Sequence, residues 1–181
     1  MYTSCMNEKL VPKYAFFVSG SGKHKDRLQA FDRALLSAGP IAHNLVTVSS
    51  ILPAGCKIVS PGEGFAMLNP GQITFAVMAK ADTNQEGEYA SAAVGVVSTK
   101  DPQEIGYISE YHGNAHGKEE TGEIAKKLAI EMYETKLGVK REELDLAFHE
   151  STTASVQCTD AEEWACAVAL CIFAFLAFLT T

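Results

Sequence analysis

Trp164 to Leu179 reads WACAVALCIFAFLAFL, an unbroken apolar run without a charge. A segment of this kind cannot be left half in water, so the rest of the chain has to cover both of its faces. It falls short of the ~20 residues that cross a bilayer, and Glu162 and Glu163 precede it where a membrane segment would carry basic flanks. A strand buried on both faces, with a helical or frayed end, is therefore preferred to a tail anchor. No membrane partner is expected.

With 181 residues the chain can bury one substantial core, and we read a single domain over residues 1–181. Its first residues lack the basic stretch, long apolar core and small-residue cleavage site of a signal peptide. A formal charge of -7 argues against the clustered Lys/Arg face that a phosphate backbone demands. The nearest basic run, Lys23-His24-Lys25-Asp26-Arg27, is broken by an acid and reads as a solvated helix start, so no nucleic-acid partner is expected. A small cationic substrate suits an acidic protein better. Cys5, Cys56, Cys158, Cys166 and Cys171 are odd in number and contain no CxxC pair. That is neither a disulfide framework nor a zinc knuckle, and it points to a reducing, cytoplasmic compartment.

Tyr14 to Val18 is aromatic and β-branched and reads as a first strand, closed by Ser19-Gly20-Ser21-Gly22. That turn and Lys23 invite a phosphate-loop reading, but Phe17 and His24 occupy the positions that need Gly and Ser/Thr, so we read a connecting loop. Leu28, Phe31, Leu35 and Leu36 predict a helix from about Lys25 to Ala38, stopped by Gly39-Pro40. Asp32 falls between Leu28 and Leu35 at helical spacing, which points its carboxylate along the apolar face. There it needs a partner, either a structural cation or a cationic ligand. Further strands are predicted at Asn44 to Ser49, Gln72 to Ala81, Tyr89 to Thr99, Glu104 to His112 and Leu144 to Val156. A second helix runs from about Lys118 to Leu137, with Ile124, Leu128, Met132 and Tyr133 on its apolar face and Gly138 as its stop. Two helices among many strands, without regular alternation, give an α+β fold in which helices cover sheets.

Three constellations carry chemistry. His112 and His116 are four apart, but Gly113 lies between them and no third ligand is marked, so no metal site is expected. Asp32 and Glu110 are candidate paired acids, a pattern that spacing cannot reveal. The third is Ser49-Ser50, a dipeptide that means nothing alone but sits in LQAFDRALLSAGPIAHNLVTVSSILP, residues 28–53.

This stretch resembles the self-processing segment of the pyruvoyl-dependent arginine decarboxylases, with its AFD-x-ALL-x-AG, Asn-Leu and Ser-Ser-Ile-x-Pro pattern. Gly106-Tyr107-Ile108-Ser109-Glu110-Tyr111 is similar to that family's Gly-x-Ile-x-Glu-Tyr block, and the likeness extends over nearly the whole chain. The resemblance implies that Ser50 Oγ attacks the carbonyl of Ser49, that elimination frees Ser49 as a new carboxyl terminus, and that residue 50 becomes a pyruvoyl cap. A β chain of residues 1–49 and an α chain of residues 50–181 would result. Serine suits this because its hydroxyl is both nucleophile and leaving group.

The same resemblance implies conversion of L-arginine to agmatine and CO2 on the covalent pyruvoyl group, with no added cofactor. Asn44 would assist cleavage as an amide donor to the oxyanion; Glu110 would return a proton after CO2 leaves; Asp32 would receive the substrate guanidinium. It further implies a four-layer αββα sandwich assembled as a trimer or dimer of trimers, with sites at subunit interfaces. His43 is a candidate pocket residue without an assigned role. The closing residues 173–181 are longer and more apolar than the family leads one to expect. Rival readings are a pyruvoyl decarboxylase of another amino acid, an unprocessed binding or structural homologue, and a histidine-ligated metal hydrolase. The reaction fits polyamine synthesis and acid resistance equally.

Overall fold

The computed structural model describes residues 10–114 and 117–175. In chain order the elements are β1 (Tyr14–His24), α1 (Arg27–Ala38), β2 (Asn44–Thr47), β3 (Ile51–Leu52), β4 (Lys57–Ile58), α2 (Pro61–Ala66), β5 (Ile73–Thr83), β6 (Tyr89–Thr99), β7 (Gly106–Gly113), α3 (Lys118–Leu137), β8 (Leu146–Gln157) and β9 (Trp164–Ala174). One sheet has the order β2-β5-β9-β1-β4 and the other β3-β7-β6-β8. The chain is thus α+β, with two sheets and few helices.

The apolar run is β9, the central strand of the first sheet, paired antiparallel to β1 and β5 along most of its length. Its odd residues, Ala165 to Phe173, join an apolar cluster that also draws on β6 and β7 of the second sheet. Its even residues, Cys166 to Ala174, join Ala30, Ala34, Phe31 and Leu35 of α1. Both faces are covered, as period-two alternation requires of a strand with no polar side. Burial pushes the Cys166 thiol up to about 11 and raises the Cys171 thiol as well, so these behave as small apolar side chains. Residues 176–181 of the run lie outside the described residues. Among the described residues no helix is long and apolar enough to cross a membrane.

The expected loop at Ser19-Gly20-Ser21-Gly22 is instead the middle of β1. Glycine is needed there for contact rather than for turning. A Cβ on Gly20 would lie 2.4 Å from the Ala34 carbonyl oxygen and the Ala38 nitrogen, and one on Gly22 would lie 2.7 Å from the Ala34 nitrogen. The missing side chains let α1 rest on the strand backbone. Gly20→Val is expected to lower the unfolding free energy by at least about 1–3 kcal/mol, the usual cost of overpacking. A urea denaturation curve that overlays the parent would contradict this packing.

The same close approach shifts the predicted helix faces, although Phe31, Leu35 and Tyr133 pack on them as expected. α1 buries Ala30 and Ala34, and α3 buries Thr121, Gly122, Ala125, Ala129, Ile130 and Tyr133. Leu28 is 71% exposed and Leu36 61%. Small residues occupy the points of closest approach, and Gly95 of β6 would put a Cβ 2.3 Å from the Ala125 carbonyl oxygen. Asp26 caps α1 by accepting from the Gln29 N–H, and Arg27 then forks onto Asp82 of β5 at 2.7 and 3.1 Å while lying over the Trp164 ring. With Lys25 paired to Glu162 and Lys23 donating to Thr159, the basic run is tied into local structure.

Candidate active site

Ser49 and Ser50 connect an edge strand of one sheet to an edge strand of the other. β2 lies at the edge of the first sheet, parallel to β5, and β3 at the edge of the second, antiparallel to β7. The chain therefore changes sheets at this dipeptide. The Ile51 N–H donates to the Ser49 carbonyl at 3.0 Å, closing a three-residue turn around Ser50, and the Ile108 N–H donates to the Ser50 carbonyl at 2.8 Å. Both carbonyls of the junction are thereby fixed by backbone donors. Ser49 also forms part of the wall of an apolar pocket of about 300 Å³, with Val48, Ile51, Pro53, Phe75 and Phe173.

Glu110 follows Ile108 by two residues on β7, so it shares that residue's face and lies about 7 Å further along the strand. Ile108 is fully buried between the sheets, whereas Glu110, three residues beyond the Tyr107 pairing with β3, is exposed. Surrounding protein still desolvates the carboxyl and raises its pKa, opposed by the charge of His112. A carboxyl so placed keeps its proton above the ordinary carboxylate range, as a proton donor requires. His116 lies outside the described residues. Among the described residues no group of three or more His, Cys, Asp or Glu side chains is arranged to hold a metal.

Asp32 is exposed on α1, in the stripe Leu28-Asp32-Leu36 rather than on the face packed against the sheet. Its helix covers the side of the first sheet turned away from the second sheet. A sheet separation of about 10 Å therefore lies between this carboxylate and Glu110. Asn44 opens β2, donating from its side chain to the Gly71 carbonyl at 2.8 Å. Five residues of nearly extended chain place it up to about 16 Å from Ser49. The structure thus gathers Ser49, Ser50 and Glu110 at one edge, and leaves Asp32 and Asn44 apart from them within one chain. His43 stacks on Phe65 with ring centroids 6.4 Å apart. Its Nδ1 is buried without a partner, and desolvation lowers its pKa.

Sequence reasoning did not find the backbone donors Ile51 and Ile108. Their contribution comes from strand register, which carries no side-chain signature. Chemically, the edge offers a serine hydroxyl next to an immobilised peptide bond, an apolar pocket beside it, and a carboxyl held toward its protonated form.

Comparison with known proteins finds relatives of the whole described fold. The model of the family described as pyruvoyl-dependent arginine decarboxylase matches residues 14–177. The chain is 45% identical over 130 residues to pyruvoyl-dependent arginine decarboxylase 1 of Methanosarcina acetivorans, covering 72% of this chain and 79% of that one. It is 47% identical over 131 residues to the pyruvoyl-dependent arginine decarboxylase of Methanococcoides burtonii, covering 72% and 73%. A protein named probable pyruvoyl-dependent arginine decarboxylase from Chlorobium luteolum is 46% identical over 130 residues, 72% of each chain.

Proposed function

The chain belongs to the pyruvoyl-dependent arginine decarboxylase family, and from that premise we propose that it cuts itself between Ser49 and Ser50 and then converts L-arginine to agmatine and CO2. The observation that carries the reading is the place of Ser49-Ser50, where the chain changes sheets and the Ser50 carbonyl is held by the strand that bears Glu110. The products are a β chain of residues 1–49 and an α chain of residues 50–181 within one domain.

Residue 50 suits a pyruvoyl group. It is half-buried at the turn, and its carbonyl, which survives the conversion, already accepts a hydrogen bond from Ile108. The group supplies an electrophilic ketone beside an amide carbonyl, the pair that draws electrons as a carboxylate leaves as CO2. Ile108 N–H stabilises negative charge on the amide oxygen, as a fixed donor does in an oxyanion hole. Glu110 holds a proton and delivers it to the substrate carbon that lost CO2. The apolar walls at Val48, Ile51 and Phe75 limit water around the reacting atoms, which strengthens these electrostatic effects.

Asp32 binds the substrate guanidinium through a bidentate fork. Because it sits across the first sheet from Glu110 in its own chain, the Asp32 that meets a given Ser50 comes from a neighbouring copy. The exposed Leu28 and Leu36 beside it, and Ile73 at 64% and Val46 at 40% exposure along the β2 edge, supply apolar surface for that contact. The enzyme is accordingly a homo-oligomer, a trimer or dimer of trimers. Asn44 assists the cleavage chemistry from the same interface.

Three apolar clusters, one between the sheets and one beneath each long helix, support a four-layer αββα sandwich. The cysteines among the described residues are unpaired, in keeping with a cytoplasmic setting. The test is release of CO2 from carboxyl-labelled arginine, lysine and ornithine by the purified protein. Arginine is expected to turn over fastest by at least tenfold, since only its planar fork matches a carboxylate bidentately; equal rates on all three would remove Asp32 from this role.

A further inference from the structure

The three-residue turn around Ser50 bears on when the chain can cut itself, an inference that rests on the self-cleavage proposed above. Among the described residues only glycines have positive φ. The Ile51–Ser49 bond therefore closes an inverse γ-turn, whose central residue has φ near about −75°. For an L-residue the torsion from the preceding carbonyl carbon to Cβ differs from φ by about 120°, so Cβ of Ser50 stands within about 15° of anti to the Ser49 carbonyl carbon. With standard bond lengths its Oγ then stays roughly 4 Å or more from that carbon. Near-attack contacts are about 3–3.5 Å.

We infer that the backbone N–H of Ile51 is a positioning group that holds the Ser49-Ser50 junction out of attack geometry, and that self-cleavage begins when this bond opens. Cleavage adds Ser50 Oγ to the Ser49 carbonyl carbon, passes the hydroxyl proton to the Ser50 nitrogen and breaks the C–N bond, leaving an ester. Loss of the Ser50 Cα proton then expels the Ser49 carboxylate from Cβ, and water releases ammonia from the dehydroalanine. The first step closes a five-membered ring through C, N, Cα, Cβ and Oγ, in which C and Cβ must be nearly eclipsed about N–Cα. Ser50 has to rotate about φ to reach it, and the γ-turn does not survive that rotation. The same N–H also polarises the scissile carbonyl, an effect that accelerates reaction only once the nucleophile can reach. The distance makes the restraint the larger effect. Ile108, by holding the next carbonyl, keeps the rest of β3 in register while Ser50 turns.

The test is the rate of chain cleavage in cell-free synthesis, followed by denaturing intact mass, for the parent, Ile51→Pro, Ile51→Val and an amide-to-ester replacement at residue 51. Ile51→Pro and the ester both delete the N–H, and the ester does so without a ring; Ile51→Val keeps it. Both deletions are expected to cut between residues 49 and 50 about three- to tenfold faster than the parent, the range of one neutral hydrogen bond, and Ile51→Val, which alters the side chain but keeps the N–H, is expected to show no such acceleration. Slower or unchanged cleavage in the ester form would overturn the inference and make Ile51 an oxyanion donor or a bystander. A parent chain that never cuts would instead remove the self-cleavage on which it rests.

Discussion

Ser50→Ala is expected to leave one uncut chain and to reduce arginine decarboxylation to background, while the fold survives. The substitution removes the only atom that can be both the nucleophile toward Ser49 and the leaving group in the elimination. It leaves the hydrogen bonds of the junction intact, because these use the Ser49 and Ser50 carbonyls and the N–H groups of Ile51 and Ile108. An unchanged melting curve with an intact 19.5 kDa chain and no CO2 release is the expected set of results. Ser50→Ala protein that still turned over arginine would place the chemistry on another residue, since no other route to the ketone is available.

The second large effect is expected at Glu110. Glu110→Gln keeps the shape but cannot deliver a proton, and kcat is expected to fall by about 10²–10⁴ with little change in KM. The pH profile gives a sharper readout. Desolvation raises the Glu110 pKa, so the protonated form that the proposed step requires persists above the usual carboxylate range and is lost as pH rises through the raised value. The parent should therefore lose activity on the alkaline side of that value, and Glu110→Gln should lose this limb. His112 opposes the shift through its positive charge; His112→Gln should move the limb to higher pH. A limb that stays in place in Glu110→Gln would assign it to another group.

Where one local rule decides an element, the sequence was a good guide. β9 could only be a covered strand because it has no polar side, and β6 occupies the predicted Tyr89–Thr99. Reading failed where tertiary contact reversed a local signal. The glycines of Ser19-Gly20-Ser21-Gly22 look like a turn, yet they are the flat surface on which α1 lies. Leu28 and Leu36 look like core, yet Ala30 and Ala34 are buried instead, because α1 lies closest to the sheet along that line, with Phe31 and Leu35 half-buried beside it. The short helix α2 was missed although Ser60 and Glu63 form a capping box, a signature that Ser-Pro-Gly-Glu carries openly.

The candidate site was legible only in part and for a different reason. Ser49-Ser50 is a common dipeptide, and it drew notice through family resemblance rather than through any physical pattern. Its structural setting, a change of sheets beside Glu110, arises from pairings as distant as Ile51 with Tyr107, which no local window contains. Asp32 illustrates the limit best. Its spacing implied a carboxylate along an apolar face, and its true stripe is apolar but points outward, toward whatever covers α1. A single chain's sequence does not distinguish a face meant for its own core from one meant for another copy.

The most direct test of the central claim is the intact mass of the purified chain under denaturing conditions. The account predicts two polypeptides, residues 1–49 ending in a free carboxylate and residues 50–181 beginning with a ketone in place of an amine. A single chain of the full 181 residues, unchanged on ageing, would contradict it.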